Sequence, residues 1–161
     1  IETGRKQLFK SFKELEEYVQ DKEIFLLIEP AHRFESNLIL TIDDCLRAMD
    51  KLKYEKFGIL LDVGHAHVNG EDFTDIIPRC KGIPLHIHLD DNNGDFDSHL
   101  IPGRGSVDFK SLFRSLKEIG YAGYLSTELG GIYNMDPSSA CKETLEVLRA
   151  MIKDDKWGAE K

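Results

Sequence analysis

The stretch KFGILLDVGHAH (56–67) begins with a short apolar run and ends in polar residues. The run is shorter than an ordinary helix, and its composition indicates a buried strand that leads into a loop. Three other stretches have the same design, namely FLLIEP (25–30), PLHIHLDD (84–91) and GYLSTEL (123–129). Strands that are mostly apolar and that alternate with helices are typical of a parallel sheet covered by helices. The sequence therefore predicts four parallel strands.

Helical patterns lie between these strands. Apolar residues recur at helical spacing over 5–21, 41–52, 107–120 and 137–153, and more weakly over 72–77. The weak helix is expected to stop before Pro78, because a proline disfavours helical geometry in the residue that precedes it. The predicted apolar stripe of the last helix consists of Cys141, Leu145, Leu148 and Ile152.

Alternating strands and helices predict an α/β fold. Four βα units fit half of a TIM-type (β/α) barrel, which has eight units and typically needs about 250 residues. The chain has 161 residues. We interpret 1–161 as a single domain in which 154–161 forms a frayed tail. Because half a barrel leaves two sheet edges unpaired, we expect self-association or a missing half-barrel to complete it.

Composition narrows the class of protein. The formal net charge of −8 disfavours nucleic acid as a partner, since that contact rests on clustered lysine and arginine. No apolar run approaches the roughly 20 residues that span a bilayer, and no signal peptide precedes the first helix, so we expect a cytoplasmic protein without membrane contact. The cysteines form no CxxC pair, and Cys45 and Cys141 are expected to be buried thiols.

Each predicted strand ends in a group that can bind a metal, and these groups are Glu29, Asp62, His88 and Glu128. The carboxyl ends of parallel strands share one face, which holds the active site in barrels. One acidic residue at a strand end is usually a helix cap or a solvated loop group, whereas potential metal ligands at the ends of four consecutive strands seldom arise that way. Three carboxylates and an imidazole suit a divalent cation such as Mn²⁺, Co²⁺, Mg²⁺ or Zn²⁺.

Three further groups lie near this predicted site. His65 follows the second strand, and the loop 92–105 carries Asp97 and His99 at a spacing that suits binding of one ion. A loop histidine by itself is ordinarily a surface residue, but the neighbouring carboxylate favours a ligand here. His32 and His67 have no such support, and we interpret them as surface or supporting residues.

Four segments together resemble the xylose isomerase-like barrel superfamily, which contains sugar isomerases and epimerases, inosose-type enzymes and type IV apurinic endonucleases. The segments are IEPAHRFE (28–35), LLDVGHAH (60–67), HIHLDDNNGDFDSHLIPGRGSVDF (86–109) and GYAGYLSTEL (120–129). They are similar to the last four strands of that barrel. The resemblance thus implies that the chain is the C-terminal half of a xylose isomerase-like TIM barrel.

The resemblance also implies roles for individual residues. The implied metal ligands are Glu29, Asp62, His88 and Glu128. Glu29 and Glu128 match the two acid/base glutamates of the ketose epimerases. The implied substrate-binding residues are Glu35, His65 and His99. The Asp97/His99 pair is similar to the pair that holds an additional zinc in the endonucleases, so a possible second metal site consists of His65, Asp97 and His99.

The leading hypothesis is therefore a divalent-metal-dependent isomerase or epimerase of a sugar, sugar phosphate or cyclic polyol. The glutamates would transfer a proton through a metal-stabilised enediolate. One alternative is a zinc phosphodiesterase like the type IV apurinic endonucleases. Another is an inactive truncated barrel that serves as an interaction unit.

Overall fold

The computed structural model describes residues 1–52 and 55–154 of the chain. Its elements are α1 (Glu2–Val19), β1 (Leu26–Ile28), α2 (Ile42–Leu52), β2 (Phe57–Asp62), α3 (Val63–Asn69), α4 (Phe73–Arg79), β3 (Leu85–Leu89), α5 (Phe109–Glu118), β4 (Leu125–Thr127), a 3₁₀ turn (Gly131–Tyr133) and α6 (Pro137–Asp154). The predicted frayed tail lies, from residue 155 onward, outside the described residues. Within that described part, no helix is both long and apolar enough to cross a membrane.

The four strands form one parallel sheet in chain order. Within the described ranges, β1 and β4 each pair on one side only, so the sheet is open at both edges. This is the predicted half of a TIM-type barrel. The register places Asp62 of β2 opposite His88 of β3, and His88 opposite Ser126 of β4.

The hydrophobic core lies between the sheet and the helices. Inner-strand side chains at alternate positions face this layer, and Ile59, Leu61, Ile87 and Leu89 are fully buried there. The opposite face of the sheet carries the intervening residues, among them the partly exposed Leu27. Because the helices cover one face alone, the polar strand ends open onto the uncovered side.

Two local predictions are wrong in the segment between β2 and β3. The segment after β2 was expected to be a loop, but it forms α3, because the Asp62 carboxylate caps the helix by accepting the His65 N–H at 2.9 Å. Helix α4 continues through Pro78 to Arg79. The proline lies in the last turn, where its ring removes one hydrogen bond, and the buried Phe73 holds the helix against the core.

The apolar stripe of α6 is shifted by one position from the prediction at two of its turns. Ala140 and Thr144 are buried, whereas Cys141 is exposed and Leu145 is 48% exposed. Thr144 tolerates burial because its hydroxyl donates to the Ala140 carbonyl at 2.8 Å. The expectation of a buried thiol therefore holds for Cys45 and is wrong for Cys141.

Candidate metal centre

The four predicted strand-end ligands come together on the uncovered side of the sheet. We call Glu29, Asp62, His88 and Glu128 the strand-end cluster. His88 Nδ1 lies 2.8 Å from Glu128 Oε2 and 3.8 Å from Asp62 Oδ2. One ligand atom each of Glu29, Asp62 and His88 lies within 4.8 Å of the others. Atoms bound at about 2.1 Å to one ion can be at most about 4.2 Å apart, so small side-chain movements would suffice to share a cation.

Two buried atoms of the strand-end cluster lack a hydrogen-bond partner. These are Asp62 Oδ2 and His88 Nδ1. His88 Nδ1 is close to Glu128, but the direction of this contact is not that of a hydrogen bond. Buried polar atoms are nearly always satisfied, so a pair of unsatisfied ones on facing ligands is evidence for a missing partner. Three carboxylates around one imidazole fit a divalent cation in that position.

The cluster has an excess of negative charge, which is visible in its pKa values. Burial raises the pKa of Glu29 above its usual value, and nearby Asp62 and Glu128 raise it further, against the opposing effect of His65 and His88. Burial likewise raises the pKa of Asp62. Both shifts mean that the site disfavours its own carboxylate charges, which a bound cation would stabilise.

A second group of residues surrounds Asp97. We call Asp97 and the three histidines around it, His32, His65 and His99, the Asp97 cluster. The Asp97 Oδ2 atom lies 2.9 Å from His99 Nε2, 3.3 Å from His65 Nε2 and 3.9 Å from His32 Nε2. The predicted trio of His65, Asp97 and His99 is thus brought together, and the structure adds His32, which is 3% exposed.

Charge in the Asp97 cluster is compensated by its own residues. Burial by itself would raise the pKa of Asp97, but hydrogen bonds from His65 and His99 outweigh it and leave this pKa below its usual range. Burial opposes the charge on His65, yet its contacts with Asp97 and Asp62 raise its pKa to about 9. Close contacts of its ring nitrogens with the carboxylates of Asp90 and Asp97 raise the pKa of His99 to about 11.

Asp90 is a site residue that sequence reasoning missed. It is fully buried, neither carboxylate oxygen has a hydrogen-bond partner, and Oδ2 lies 3.1 Å from His99 Nδ1. Gly64 makes room for it, because a Cβ at position 64 would lie 2.4 Å from both Asp90 oxygens. Asp90, Asp97 and His99 also have ligand atoms within 4.8 Å of one another. Strand alternation from His88 was the signal that could have identified Asp90.

Asp91 shapes the loop that carries Asp97 and His99. Its carboxylate accepts the backbone N–H groups of Gly103 at 2.7 Å, Gly105 at 2.9 Å and Val107 at 3.1 Å. Side chain to backbone bonds of this kind hold a long loop in one conformation. No feature of the sequence distinguished Asp91 from its acidic neighbours, because its role depends on contacts with residues 12 to 16 positions away.

Glu35, the remaining predicted substrate-binding residue, lies at the rim of the site. Its side chain is 59% exposed, and its Oε1 lies 3.6 Å from His32 Nε2. His67 is not part of either cluster, and its Nε2 contacts Ser106 Oγ at 2.9 Å. Of the two histidines interpreted as surface or supporting residues, His32 lies in the buried part of the Asp97 cluster and His67 lies outside both clusters.

Fold and site define an open (β/α) half-barrel whose strand ends converge on a possible cation site. The family described as xylose isomerase-like TIM barrel matches residues 1–151, and the chain belongs to this family. The family and fold predicted from the four sequence segments are thus confirmed.

Several known proteins are similar to this chain. Fructoselysine 3-epimerase of Escherichia coli O157:H7 is 28% identical over 149 residues, which cover 92% of this chain and 54% of that protein. The crystal structure of E. coli 3-keto-D-glucoside 4-epimerase, in its apo form, has a TM-score of 0.78 at 24% identity, with 91% and 53% coverage. The structure of IOLI protein with a zinc atom has a TM-score of 0.74 at 21% identity, with 94% and 55% coverage.

Two conclusions follow from these similarities. The chain spans about half the length of the curated relatives it matches. Sugar epimerases are prominent among these relatives, which supports the general prediction of a sugar epimerase or isomerase.

Proposed function

We propose that this chain supplies the metal centre of a divalent-metal-dependent sugar epimerase or isomerase. The observation that carries the proposal is the meeting of Glu29, Asp62, His88 and Glu128 around buried atoms without hydrogen-bond partners. The sugar epimerases among its relatives support the same reaction class. The substrate would be a ketose, another keto sugar or a cyclic polyol.

The strand-end cluster would hold the cation, with Mn²⁺, Co²⁺, Mg²⁺ and Zn²⁺ as the ions that suit its oxygen and imidazole donors. The zinc in the IOLI protein shows that a structure with this fold can contain such an ion. A bound divalent cation supplies positive charge that stabilises negative charge developing on neighbouring sugar oxygens.

Glu29 and Glu128 would move a proton from two sides. They follow β1 and β4, the outermost strands, and therefore flank the space above the sheet. One glutamate would take the proton from the carbon next to the carbonyl, and the C–H electron pair would form the enediolate. The other would deliver a proton to the opposite face or to the adjacent carbon. The raised pKa of Glu29 makes it a stronger base than an ordinary carboxylate.

Glu35, His65 and His99 would bind the hydroxyl groups of the sugar. Glu35 and His99 lie on loops and His65 lies in helix α3, all beside the strand-end cluster, and His65 Nδ1 is 3.6 Å from Glu29 Oε1. Histidine and carboxylate side chains can donate to and accept from the hydroxyl groups of a sugar. We also propose that a second half-barrel, from another copy or another chain, covers the open edges of β1 and β4 in the active enzyme.

Deuterium exchange tests this proposal directly. The chain is loaded with Mn²⁺ and incubated with D-fructose in D₂O, and deuterium at the carbon next to the carbonyl is measured by NMR. Parent protein should incorporate deuterium, and Glu128→Gln should reduce the rate by at least about 100-fold. Glu146→Gln, an exposed residue of α6, is the matched control and should match the parent.

Two results would contradict the proposal in different ways. Full exchange in Glu128→Gln would remove this glutamate from proton transfer. A parent chain that binds Mn²⁺ without any exchange would contradict catalysis by this chain alone.

The Asp97 cluster favours a second candidate, an endonuclease-like zinc phosphodiesterase. His65 and His99 both contact Asp97, as an additional zinc site requires. Nicking of abasic duplex DNA in the presence of Zn²⁺ would support this function, and its absence would exclude it. The net charge of −8 weighs against DNA binding.

A further inference from the structure

His32 is a buried histidine whose protonation pattern is fixed by the backbone. It lies on the loop between β1 and α2 and is 3% exposed. Its Nδ1 atom accepts the Phe34 N–H at 3.2 Å. A neutral imidazole carries its proton on the nitrogen that is not accepting, so this proton is on Nε2. His32 is therefore a hydrogen-bond donor at Nε2.

The donor nitrogen of His32 faces two carboxylates from different loops. Glu35 Oε1 is 3.6 Å away and Asp97 Oδ2 is 3.9 Å away. Both distances exceed a direct hydrogen bond, and an inward movement of either carboxylate by roughly 1 Å would form one. In the described part of the chain, Glu35 makes no other ion pair. His32 is thus the buried group that contacts the Glu35 carboxylate from the interior of the site.

His65 provides an informative contrast with His32. Its Nδ1 lies 3.0 Å from the Pro30 carbonyl and its Nε2 lies 3.3 Å from Asp97 Oδ2, so both ring nitrogens of His65 face oxygen acceptors. Metal-binding histidines usually give one ring N–H to a carbonyl or carboxylate, as His65 can through Nδ1. His32, Glu35 and His65 have ligand atoms within 4.8 Å, but His32 Nδ1 accepts an N–H instead. The short distances among these three residues would by themselves suggest a metal site. The hydrogen bond from the Phe34 N–H to His32 Nδ1 disfavours His32 as a metal ligand.

We propose that His32 is a positioning residue that, through its Nε2 proton, holds Glu35 and Asp97 toward the bound sugar. This inference rests on the proposed sugar-binding function of the site. Glu35 reaches the sugar from the rim, and Asp97 orients His65 and His99 from below. The His32 ring packs against the His65 ring with centroids 5.2 Å apart, so its position also fixes that imidazole.

Two substitutions separate the two sides of the His32 ring. In His32→Asn the short amide oxygen can still accept the Phe34 N–H, which keeps the turn, but no donor reaches the carboxylates. In His32→Gln the longer side chain can place an N–H near the Nε2 position. The affinity of the full chain is measured by calorimetry, first for Mn²⁺ and then for D-fructose with Mn²⁺ bound.

His32→Asn should weaken D-fructose binding about tenfold, with Mn²⁺ affinity unchanged within about threefold, and His32→Gln should restore most of the loss. In a Glu35→Gln background, His32→Asn should have a smaller effect, because the carboxylate through which it acts is absent.

Unchanged D-fructose affinity in His32→Asn, or an equal loss in His32→Gln, would overturn the positioning role. An equal effect of His32→Asn with and without Glu35→Gln would overturn the link to Glu35. Parent protein that binds Mn²⁺ but no D-fructose would contradict the sugar-binding proposal itself, and the role of His32 with it.

Discussion

The strand-end cluster and the Asp97 cluster are built from the same residue types but differ in charge balance. The strand-end cluster sets three carboxylates against one imidazole, and two of its buried atoms lack a hydrogen-bond partner, compared with one, His99 Nδ1, in the Asp97 cluster. The Asp97 cluster sets one carboxylate against three imidazoles, and the pKa of Asp97 falls while those of His65 and His99 rise. Proximity of metal-binding side chains is therefore not sufficient to define the first cation site, because the charge balance of the cluster also matters. A first cation should enter the cluster that cannot neutralise itself.

The largest expected effect comes from removing one charge from the strand-end cluster. Asp62→Asn should lower Mn²⁺ affinity at least about 100-fold, because it removes a ligand oxygen, while its remaining oxygen can still cap α3. Calorimetry with Mn²⁺ measures the effect. Asp72→Asn, which changes the corresponding cap of α4, is the matched control and should leave the affinity unchanged. If Asp62→Asn bound Mn²⁺ as tightly as the parent, the strand-end cluster would not be the site that the first cation enters.

A smaller effect is expected from the same change in the Asp97 cluster. Asp97→Asn leaves His65 and His99 without their shared carboxylate and should destabilise the metal-free protein by about 2 kcal/mol at pH 7. Its affinity for the first Mn²⁺ should stay within about threefold of the parent. Urea unfolding and calorimetry measure the two quantities. If Asp97→Asn lowered both the affinity for the first Mn²⁺ and the free energy of unfolding, the two clusters would act as one site.

The smallest expected effect concerns a half-buried carboxylate outside both clusters. Burial raises the pKa of Glu71 from 4.5 to about 7, although its Oε1 accepts the Ile42 N–H at 3.0 Å. The folded state therefore holds this proton more tightly than the unfolded state, so its contribution to stability is lost as the pH rises from about 4.5 to about 7.

Glu71→Gln should accordingly gain stability over the parent with rising pH, by about 1 kcal/mol between pH 5 and pH 8 after allowance for solvent screening. Thermal unfolding at several pH values measures the difference. A constant difference across this range would contradict burial as the cause of the raised pKa. Glu71 thus shows the effect of burial on a carboxylate that has no imidazole partner among its contacts with the described residues.

The sheet could be predicted from sequence because its signal is local. Apolar runs such as 57–61 identify strands without knowledge of their neighbours, and parallel pairing then brings Asp62 and His88 together. The meeting of four strand ends follows from the topology alone. The same reasoning missed α3, where one side chain, Asp62, serves as a helix cap and also faces the cluster.

The buried polar residues could not be predicted in this way. Asp90 depends on the absence of a side chain at Gly64, and Asp91 depends on N–H groups from a distant part of its loop. His32 appears in the sequence as an ordinary loop histidine, yet its burial arises when two loops meet. Local patterns identify groups that can bind, while the partners that determine their charge come from long-range packing.

Anomalous diffraction from crystals grown with Zn²⁺ tests whether a first cation binds at the strand-end cluster. The strongest peak should lie about 2.0–2.2 Å from ligand atoms of Glu29, Asp62, His88 and Glu128. A strongest peak between Asp90, Asp97 and His99, with no peak at the strand-end cluster, would contradict binding there.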